Sequence, residues 1–399
     1  MAKQSDETTR PAGLRYWPTW LFFALMSLVG RLPYSWLVKL GRGFGRLMYR
    51  FAGSRTRIAS INIRRCFPQL SDTEQQQLVK ENLIETGIGM LETAMLWFGH
   101  NRNWQSIVEF KGLEHLEKAQ QDGRGGLLLA FHLTSLEIGG SLLGTRYPIG
   151  ALYRRNENPA IEFAMVKGRK RFVEPIPREA TREMIKYLKS NRFVWYAADQ
   201  DYGRRQSIFV PFFDIPTATI TATTRFARLS KAPVIPMTQR RIDGKRIEVT
   251  IHPPLTGIGA DERQDAITIN QFLEQYLAQH PADYLWVHRR FKTRPNETDS
   301  SFYPKKKKTR PVTPERYKNI MEAALWVEEI DNRPVKLQLP EELVYFFYFD
   351  DIFLAKKRRL KAFIETHKSE QFNDKQYVHK GKVRLCQHRQ CYLVYLEEI

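Results

Sequence analysis

Short apolar runs that alternate with helical patterns place the strongest constraint on the fold of this chain. Residues 125–131 and 193–198 are apolar runs of the length that buried strands have, and glycines precede the first of them. The same patterns predict further strands at 233–238, 247–252 and 284–288, and helices at 71–100, 136–143, 178–189, 219–229 and 266–279. This order predicts an α/β fold with a mixed sheet flanked by helices.

An apolar run near the amino terminus predicts a membrane anchor. Residues 16–30 carry no charge, Arg31 interrupts the run, and residues 32–38 resume it. A spanning helix needs about 20 apolar residues, so the stretch 17–37 would just cross a bilayer if Arg31 reached the headgroups. A helix that lies in the membrane interface is equally compatible with this length, and a buried helix of the main domain is the alternative.

Two features of the sequence predict that the bulk of the chain lies in the cytoplasm. The residues that follow the apolar run include six basic ones, namely Lys39, Arg42, Arg46, Arg50, Arg55 and Arg57. By the positive-inside rule, such a flank stays on the cytoplasmic side. The three cysteines, Cys66, Cys386 and Cys391, are too few and too scattered for a disulfide framework, which also indicates a reducing compartment.

The charge balance indicates an anionic partner. Lys and Arg number 63 against 43 Asp and Glu, so the formal net charge is +20. Such a surplus of positive charge usually indicates binding to nucleic acid, to anionic lipid or to an acidic protein. A nucleic-acid-binding protein, or a basic membrane-associated binding protein, is therefore a second class to consider. The apolar amino-terminal run and the lack of a recognisable nucleic-acid motif argue against nucleic acid.

The chain is predicted to divide into four parts. These are a tail and anchor at 1–38, a main domain at 39–303, a basic linker at 304–314 and a carboxyl-terminal module at 315–399. A helical start at 315–330, an aromatic run at 344–353 and a strand-like end at 391–396 predict a small α+β module. The spacing of Cys386, His388 and Cys391 matches no common zinc pattern, so these are expected to be ordinary residues of the module.

The segment His132-Leu-Thr-Ser-Leu-Glu137 is the sharpest candidate for chemistry. His132 follows an apolar strand and Glu137 lies five residues later, at the start of a predicted helix, so both side chains can face one cleft. Histidine is suited to take a proton from an alcohol near neutral pH, and a carboxylate on its far nitrogen fixes the tautomer. The spacing alone is common, and a structural histidine at a strand end is the alternative.

The context of this segment is more specific than its spacing. Residues 123–140, GRGGLLLAFHLTSLEIGG, resemble the lipid A biosynthesis acyltransferases, the lauroyl- and myristoyl-transferring branch of the HxxxxD/E acyltransferases. Further segments that resemble the family in the same order are LYRRNENPAIE (152–162), VWYAADQDYG (194–203), SIFVPFF (207–213) and WVHRRFKTRP (286–295). The resemblance covers roughly residues 15–303 and says nothing about the carboxyl-terminal module.

This resemblance implies a fold like that of the glycerolipid acyltransferases and a reaction at the inner membrane. An acyl chain, most simply lauroyl, would pass from acyl carrier protein to a hydroxyl on the Kdo-bearing lipid A precursor. Myristoyl or palmitoleoyl transfer is the alternative. His132 would be the general base, Glu137 its orienter, and Arg154 the donor to the oxyanion, unless Arg154 only binds phosphate. No metal and no organic cofactor is expected, because the thioester supplies the activation.

The resemblance also implies that the basic surface binds the phosphates and carboxylates of the acceptor and the acidic donor protein. The candidate residues are Arg155, Lys167, Arg169, Arg204, Arg289 and Arg290. Asp199 and Asp201 follow another buried strand, where they would hold an arginine or shape the cleft. A metal site at these two carboxylates is the alternative.

Overall fold

A computed structural model describes residues 10–99, 103–296 and 298–303 in full, and beyond them the backbone of six strands. The chain separates into two compact units, Met1–Lys305 and Lys306–Ile399.

The first unit is built on a seven-stranded sheet and a separate hairpin. Its strands are β1 (Val108–Lys111), β2 (Gly126–Ala130), β3 (Ile149–Tyr153), β4 (Glu174–Pro177), β5 (Phe193–Ala197), β6 (Ser207–Phe212), β7 (Ile215–Ile220), β8 (Val234–Ile242) and β9 (Arg246–Ile251). The order in the sheet is β1-β9-β8-β2-β5-β3-β4, while β6 and β7 form the hairpin. Strands β8 and β9 pair antiparallel, and the other neighbouring strands in this sheet pair parallel. The predicted mixed sheet is confirmed.

Helices cover both faces of this sheet. They are α1 (Trp17–Gly30), α2 (Tyr34–Phe51), α3 (Gly53–Cys66), α4 (Asp72–Phe98), α5 (Glu114–Gln121), α6 (Leu136–Leu143), α7 (Pro159–Arg169), α8 (Thr181–Lys189), α9 (Ala222–Ser230) and α10 (Glu262–Gln279). Leu127 and Leu129 of β2 belong to one buried cluster and Leu128 to a second. Because both faces are covered, β2 reads as a continuous apolar run rather than as an alternating one.

Most elements predicted from local patterns are confirmed, and the exceptions have physical reasons. The helix predicted at 136–143 is α6, and the one predicted over 71–100 is α4, which begins with a capping box between Ser71 and Glu74. The helix predicted at 219–229 begins only at Ala222, because the preceding residues pair with β6. The strand predicted at 284–288 is wrong. Only Tyr284 forms a bridge, and side chains bind the carbonyl groups that a neighbouring strand would otherwise bind.

The apolar amino-terminal stretch forms two helices instead of one. Helix α1 ends at Gly30, and α2 begins after Pro33, with its polar face lined by basic residues. Within the described part of the chain, no helix combines the length and the apolar character that crossing a membrane requires. Both helices pack on α4, closely enough that a Cβ at Gly45 would lie 2.4 Å from the Cα of Ile84.

The second unit is described as an antiparallel sheet. Its strands are β10 (Val335–Leu339), β11 (Glu342–Tyr348), β12 (Ser369–Phe372), β13 (Lys375–Val378), β14 (Val383–Cys386) and β15 (Cys391–Glu398). Their order is β10-β11-β15-β13-β12, with β14 also paired to β15. The strand predicted at 391–396 is confirmed, whereas the helix predicted at 315–330 lies outside the described residues. Cys386 and Cys391 are opposite each other in the β14–β15 register.

A buried ion-pair cluster ties α2 and α4 to the sheet. Arg241 of β8 donates to both oxygens of Glu92, at 2.8 and 2.7 Å, and to a carboxyl oxygen of Glu85 at 2.5 Å. Arg241 also donates to the carbonyl of Thr134, at 3.0 Å, in the loop after β2. Tyr34 of α2 donates its hydroxyl to Glu92 at 2.9 Å, and burial raises the pKa of that hydroxyl.

Replacing Arg241 with Met is expected to lower the free energy of unfolding by about 3–5 kcal/mol, because the buried Glu92 would lose its cation. The measurement is urea unfolding of the full chain. Arg246→Met is the matched control, since Arg246 makes an exposed ion pair with Glu109 on the same pair of strands, and such pairs contribute about 1 kcal/mol or less. Equal effects of the two variants would contradict the expectation.

Candidate active site

The candidate site lies where two central parallel strands end. Ala130, the last residue of β2, is the register partner of Ala197, the last residue of β5. His132 and Asp199 each lie two residues further along. Because the carboxyl ends of parallel strands meet at one edge of a sheet, this register brings the two side chains together.

The carboxylate of Asp199 holds the imidazole of His132. Asp199 Oδ1 lies 2.8 Å from His132 Nδ1, and Oδ2 accepts the backbone N–H of His132 at 2.9 Å. Burial alone would raise the pKa of the Asp199 carboxyl, but the His132 contacts lower it below its ordinary value. A carboxylate only accepts, so Nδ1 carries the ring proton and Nε2 offers a lone pair. This arrangement suits a general base.

Glu137 has a different set of partners from the predicted one. Its oxygens accept from Arg169 Nε at 2.8 Å and Nη2 at 2.6 Å, and from Trp97 Nε1 at 2.8 Å. Burial opposes the charge of Glu137, yet Arg169 holds the pKa of this carboxyl below its usual value. The carboxylate that contacts the His132 ring is therefore Asp199 and not Glu137. Glu137 instead joins the first turn of α6 to α7 and α4.

A second histidine, which sequence reasoning did not single out, lies beside the first. The ring centroids of His132 and His288 are 5.9 Å apart, with planes inclined by 41°. His288 Nδ1 is 2.8 Å from Nε2 of Gln200, the residue after Asp199. The available signal was the segment WVHRRF (286–291), in which the predictions used only the arginines.

Comparison with known proteins identifies the family. The model of the bacterial lipid A biosynthesis acyltransferases matches residues 6–293. The chain belongs to this family. It is an acyltransferase, and the family match ends before the second unit begins.

Individual relatives carry more specific names. A lipid A biosynthesis lauroyltransferase of Escherichia coli K12 is 38% identical over 292 residues, which are 72% of this chain and 95% of the relative. A palmitoleoyltransferase of the same organism is 37% identical with the same coverage. A myristoyltransferase of that organism is 28% identical over 290 residues, 70% of this chain and 88% of the relative.

Two arginines of this acyltransferase that were expected to bind substrate are engaged inside the protein. Arg169 is paired with Glu137, as described above. Arg290 is only 2% exposed and donates to the carbonyl of Ala218 at 2.7 Å and to Thr219 Oγ1 at 3.3 Å. The structure therefore gives both guanidinium groups internal partners, which sequence patterns do not reveal.

The two strand-end aspartates also bind groups of the chain itself. Both carboxyl oxygens of Asp199 contact His132, as described above. Asp201 accepts the backbone N–H groups of Gly203 at 2.9 Å and Thr293 at 2.6 Å, and the Thr293 hydroxyl at 2.7 Å. These contacts argue against the metal site considered for the pair, because both carboxylates already have donors from the protein.

The remaining predicted basic residues of the acyltransferase lie at its surface. Arg154 follows β3 directly and its side chain is 67% exposed, with Glu157 at 3.4 Å. Arg204 donates to the carbonyls of Arg294 and Pro295. The other exposed members of this set are Arg155, Lys167 and Arg289.

A cleft of about 490 Å³ opens near the end of β5. Tyr202 lines it, and burial together with the nearby Asp199 carboxylate raises the pKa of the Tyr202 hydroxyl, while Arg178 and Arg154 lower it. Tyr202 therefore connects this cleft with Asp199, the partner of His132, because it lines the cleft and its hydroxyl interacts with the Asp199 charge.

Proposed function

We propose that this acyltransferase moves a fatty acyl chain from acyl carrier protein to a hydroxyl on a hydroxyacyl chain of the Kdo-bearing lipid A precursor. The observation that carries the proposal is the contact between His132 and Asp199, which prepares Nε2 to take a proton. We propose lauroyl as the transferred acyl group, because the lauroyltransferase is more similar to this protein than the myristoyltransferase is. Palmitoleoyl transfer is the closest alternative, since that relative is almost equally similar.

In the proposed reaction, His132 Nε2 accepts the proton of the acceptor hydroxyl, and the hydroxyl oxygen attacks the carbonyl carbon of the thioester. Asp199 stabilises the imidazolium that forms. The carbon–sulfur bond then breaks, and the departing thiolate takes the proton from His132. Arg154 is the proposed surface donor to the negative charge on the carbonyl oxygen. A base positioned in this way typically contributes about 10² to 10⁴ in rate.

The exposed cations suit both substrates. Arg155, Lys167, Arg204 and Arg289 are proposed to bind the phosphates and Kdo carboxylates of the acceptor or the acidic surface of the donor protein. The formal net charge of +20 supports partners of this sign.

We further propose that α1 and α2 lie in the cytoplasmic face of the inner membrane. Both helices leave large apolar side chains exposed, and these are Trp17, Leu21, Phe22, Leu25, Leu28, Trp36, Leu40, Phe44, Leu47 and Phe51. Basic residues of α2, including Lys39 and Arg46, lie next to them and suit anionic headgroups.

Replacing both Leu40 and Leu47 with Glu is expected to weaken binding to anionic phospholipid vesicles at least tenfold. Moving two leucines out of lipid costs on the order of 1.5–3 kcal/mol each, and 1.4 kcal/mol is tenfold in affinity. Vesicle sedimentation is the measurement. Leu229→Glu is the control, because Leu229 is also 50% exposed but lies on α9. An equal loss in the control would contradict the proposed membrane face.

The test of the function is a mass-resolved transfer assay. Membranes that contain the protein receive the precursor and a mixture of acyl carrier protein thioesters of different lengths. A product heavier by one acyl group supports the proposal, and its mass increment names the chain. Transfer only to a penta-acylated precursor makes the enzyme a later-acting member of the pathway. No transfer to either acceptor contradicts the proposed substrate and favours a different hydroxyl-bearing lipid.

A further inference from the structure

Two adjacent residues in the loop after β5 contact two different imidazole rings. Asp199 contacts Nδ1 of His132, and Gln200 contacts Nδ1 of His288, each at 2.8 Å. The first partner is an acceptor and the second, an amide nitrogen, is a donor. The loop therefore imposes opposite hydrogen-bonding roles on the two rings.

These opposite roles fix complementary tautomers. Because a carboxylate only accepts, His132 has its proton on Nδ1 and a lone pair on Nε2. Because the amide nitrogen of Gln200 only donates, Nδ1 of His288 is the acceptor, and the proton of that neutral ring is on Nε2. One ring thus offers a base and its neighbour offers an N–H donor, with ring centroids 5.9 Å apart.

The surroundings of His288 keep its ring neutral. The pKa of His288 is lowered to about 4, chiefly by burial and also by the nearby His132 and Arg55, while Asp199 opposes them in part. At neutral pH the ring is therefore uncharged, which keeps the tautomer that Gln200 selects.

Hydrogen bonds hold the backbone around His288 to α3 and to the loop after β2 that carries His132. Leu285 N–H donates to the carbonyl of His132 at 2.9 Å. Asn62 of α3 donates to the carbonyls of Trp286 and His288, both at 2.7 Å, and Arg55 donates to that of Val287 at 3.1 Å. The two rings are consequently held by rigid elements, as a preorganised site requires.

We propose that His288 is a second catalytic residue, whose Nε2–H donates to the thioester carbonyl oxygen as that oxygen becomes negatively charged. The inference rests on the proposed acyl transfer. The new carbon–oxygen bond forms on the His132 side, and the electron pair of the C=O bond moves to the oxygen that His288 holds. When the carbon–sulfur bond breaks, this pair re-forms the carbonyl and the thiolate leaves with the proton from His132. A neutral donor serves here because it binds the oxyanion without protonating it.

The first experiment compares two substitutions in the full-length enzyme. His288→Phe keeps a planar ring without a donor, and kcat is expected to fall about 10² to 10³-fold with little change in KM. His288→Gln keeps an amide donor and is expected to recover at least tenfold of that loss. His115→Phe, on α5 outside the site, is the matched control and is expected to retain wild-type turnover. Circular dichroism melting confirms that the variants are folded.

The second experiment reverses the tautomer. Gln200→Glu supplies a carboxylate that accepts from Nδ1–H and raises the pKa of His288, while the neighbouring His132, Asp199 and Arg55 stay unchanged. Below the raised pKa the ring keeps its Nε2–H, and above it the remaining proton stays on Nδ1. The activity of this variant relative to wild type is therefore expected to fall as the pH rises. Gln121→Glu adds the same charge at the exposed end of α5, outside the site, and is expected to leave the pH profile unchanged.

The outcomes separate this inference from the proposed function. No acyl transfer by the wild-type enzyme contradicts the proposed function itself. Wild-type transfer together with His288→Phe turnover within threefold of wild type overturns only the role of His288. Nitrogen-15 NMR gives a readout independent of turnover, because a proton on Nδ1 of His288 in the wild-type enzyme at pH 7 also overturns the assignment.

Discussion

Replacing Asp199 with Asn is expected to lower kcat by up to about 10⁴, which is the effect that the wrong histidine tautomer has in Ser-His-Asp triads. The amide would donate to His132 Nδ1, so the ring proton would move to Nε2 and the base would be lost. Because the amide keeps nearly the same shape, the fold is expected to persist. Steady-state transfer kinetics, with thermal melting as a check of folding, measure the effect.

Glu137→Gln is the control for this substitution, because it makes the same chemical change in the carboxylate that the sequence motif favours. Glu137 is bound to Arg169 and Trp97, so the variant is expected to lose stability and to keep the His132 tautomer. The opposite ranking, with a 10⁴-fold loss in Glu137→Gln and near-normal turnover in Asp199→Asn, would show that Glu137 orients the base after all.

Replacing His132 with Ala is expected to lower kcat by about 10² to 10⁴, because the acceptor hydroxyl would lose its general base. Binding to anionic vesicles should stay unchanged, since the proposed membrane face lies on α1 and α2. The measurements are turnover and vesicle sedimentation of the same preparation, with His115→Ala as the matched control. Turnover close to wild type would exclude His132 as the base.

A double substitution sharpens this second prediction. If Asp199 acts only through His132, adding Asp199→Asn to His132→Ala should lower kcat little further, because residues that act as a unit are strongly non-additive. A full additional 10⁴-fold loss would mean that Asp199 has a separate role in catalysis.

Local patterns were sufficient to predict much of the fold. Helix α6 at Leu136–Leu143 and strand β5 near residues 193–198 follow from the spacing of apolar residues, and the Ser71 capping box marks the start of α4. These features depend on neighbours within a few positions in the chain, so one sequence contains the information that determines them. The segment around His132 likewise carried the resemblance to the family.

Interactions between distant segments could not be predicted in this way. The side-chain contacts that replace a strand after Tyr284 come from Asn62 of α3 and Asn82 of α4. The helix break before Tyr34, by contrast, follows from Pro33, a local signal that the prediction of one continuous span left out. Tertiary contacts override local propensity where buried backbone groups find side-chain partners.

The sequence by itself determined the strands β2, β5, β8 and β9, the helices α4, α6 and α8–α10, the family and the candidate base His132. Only the tertiary structure decided which carboxylate serves that base. Glu137 is five residues from His132 along the chain, yet the turn into α6 directs it to Arg169, whereas the β2–β5 register brings Asp199 to the ring. Side-chain partnership across parallel strands is set by register and by the direction of each side chain, and neither depends on separation in the sequence.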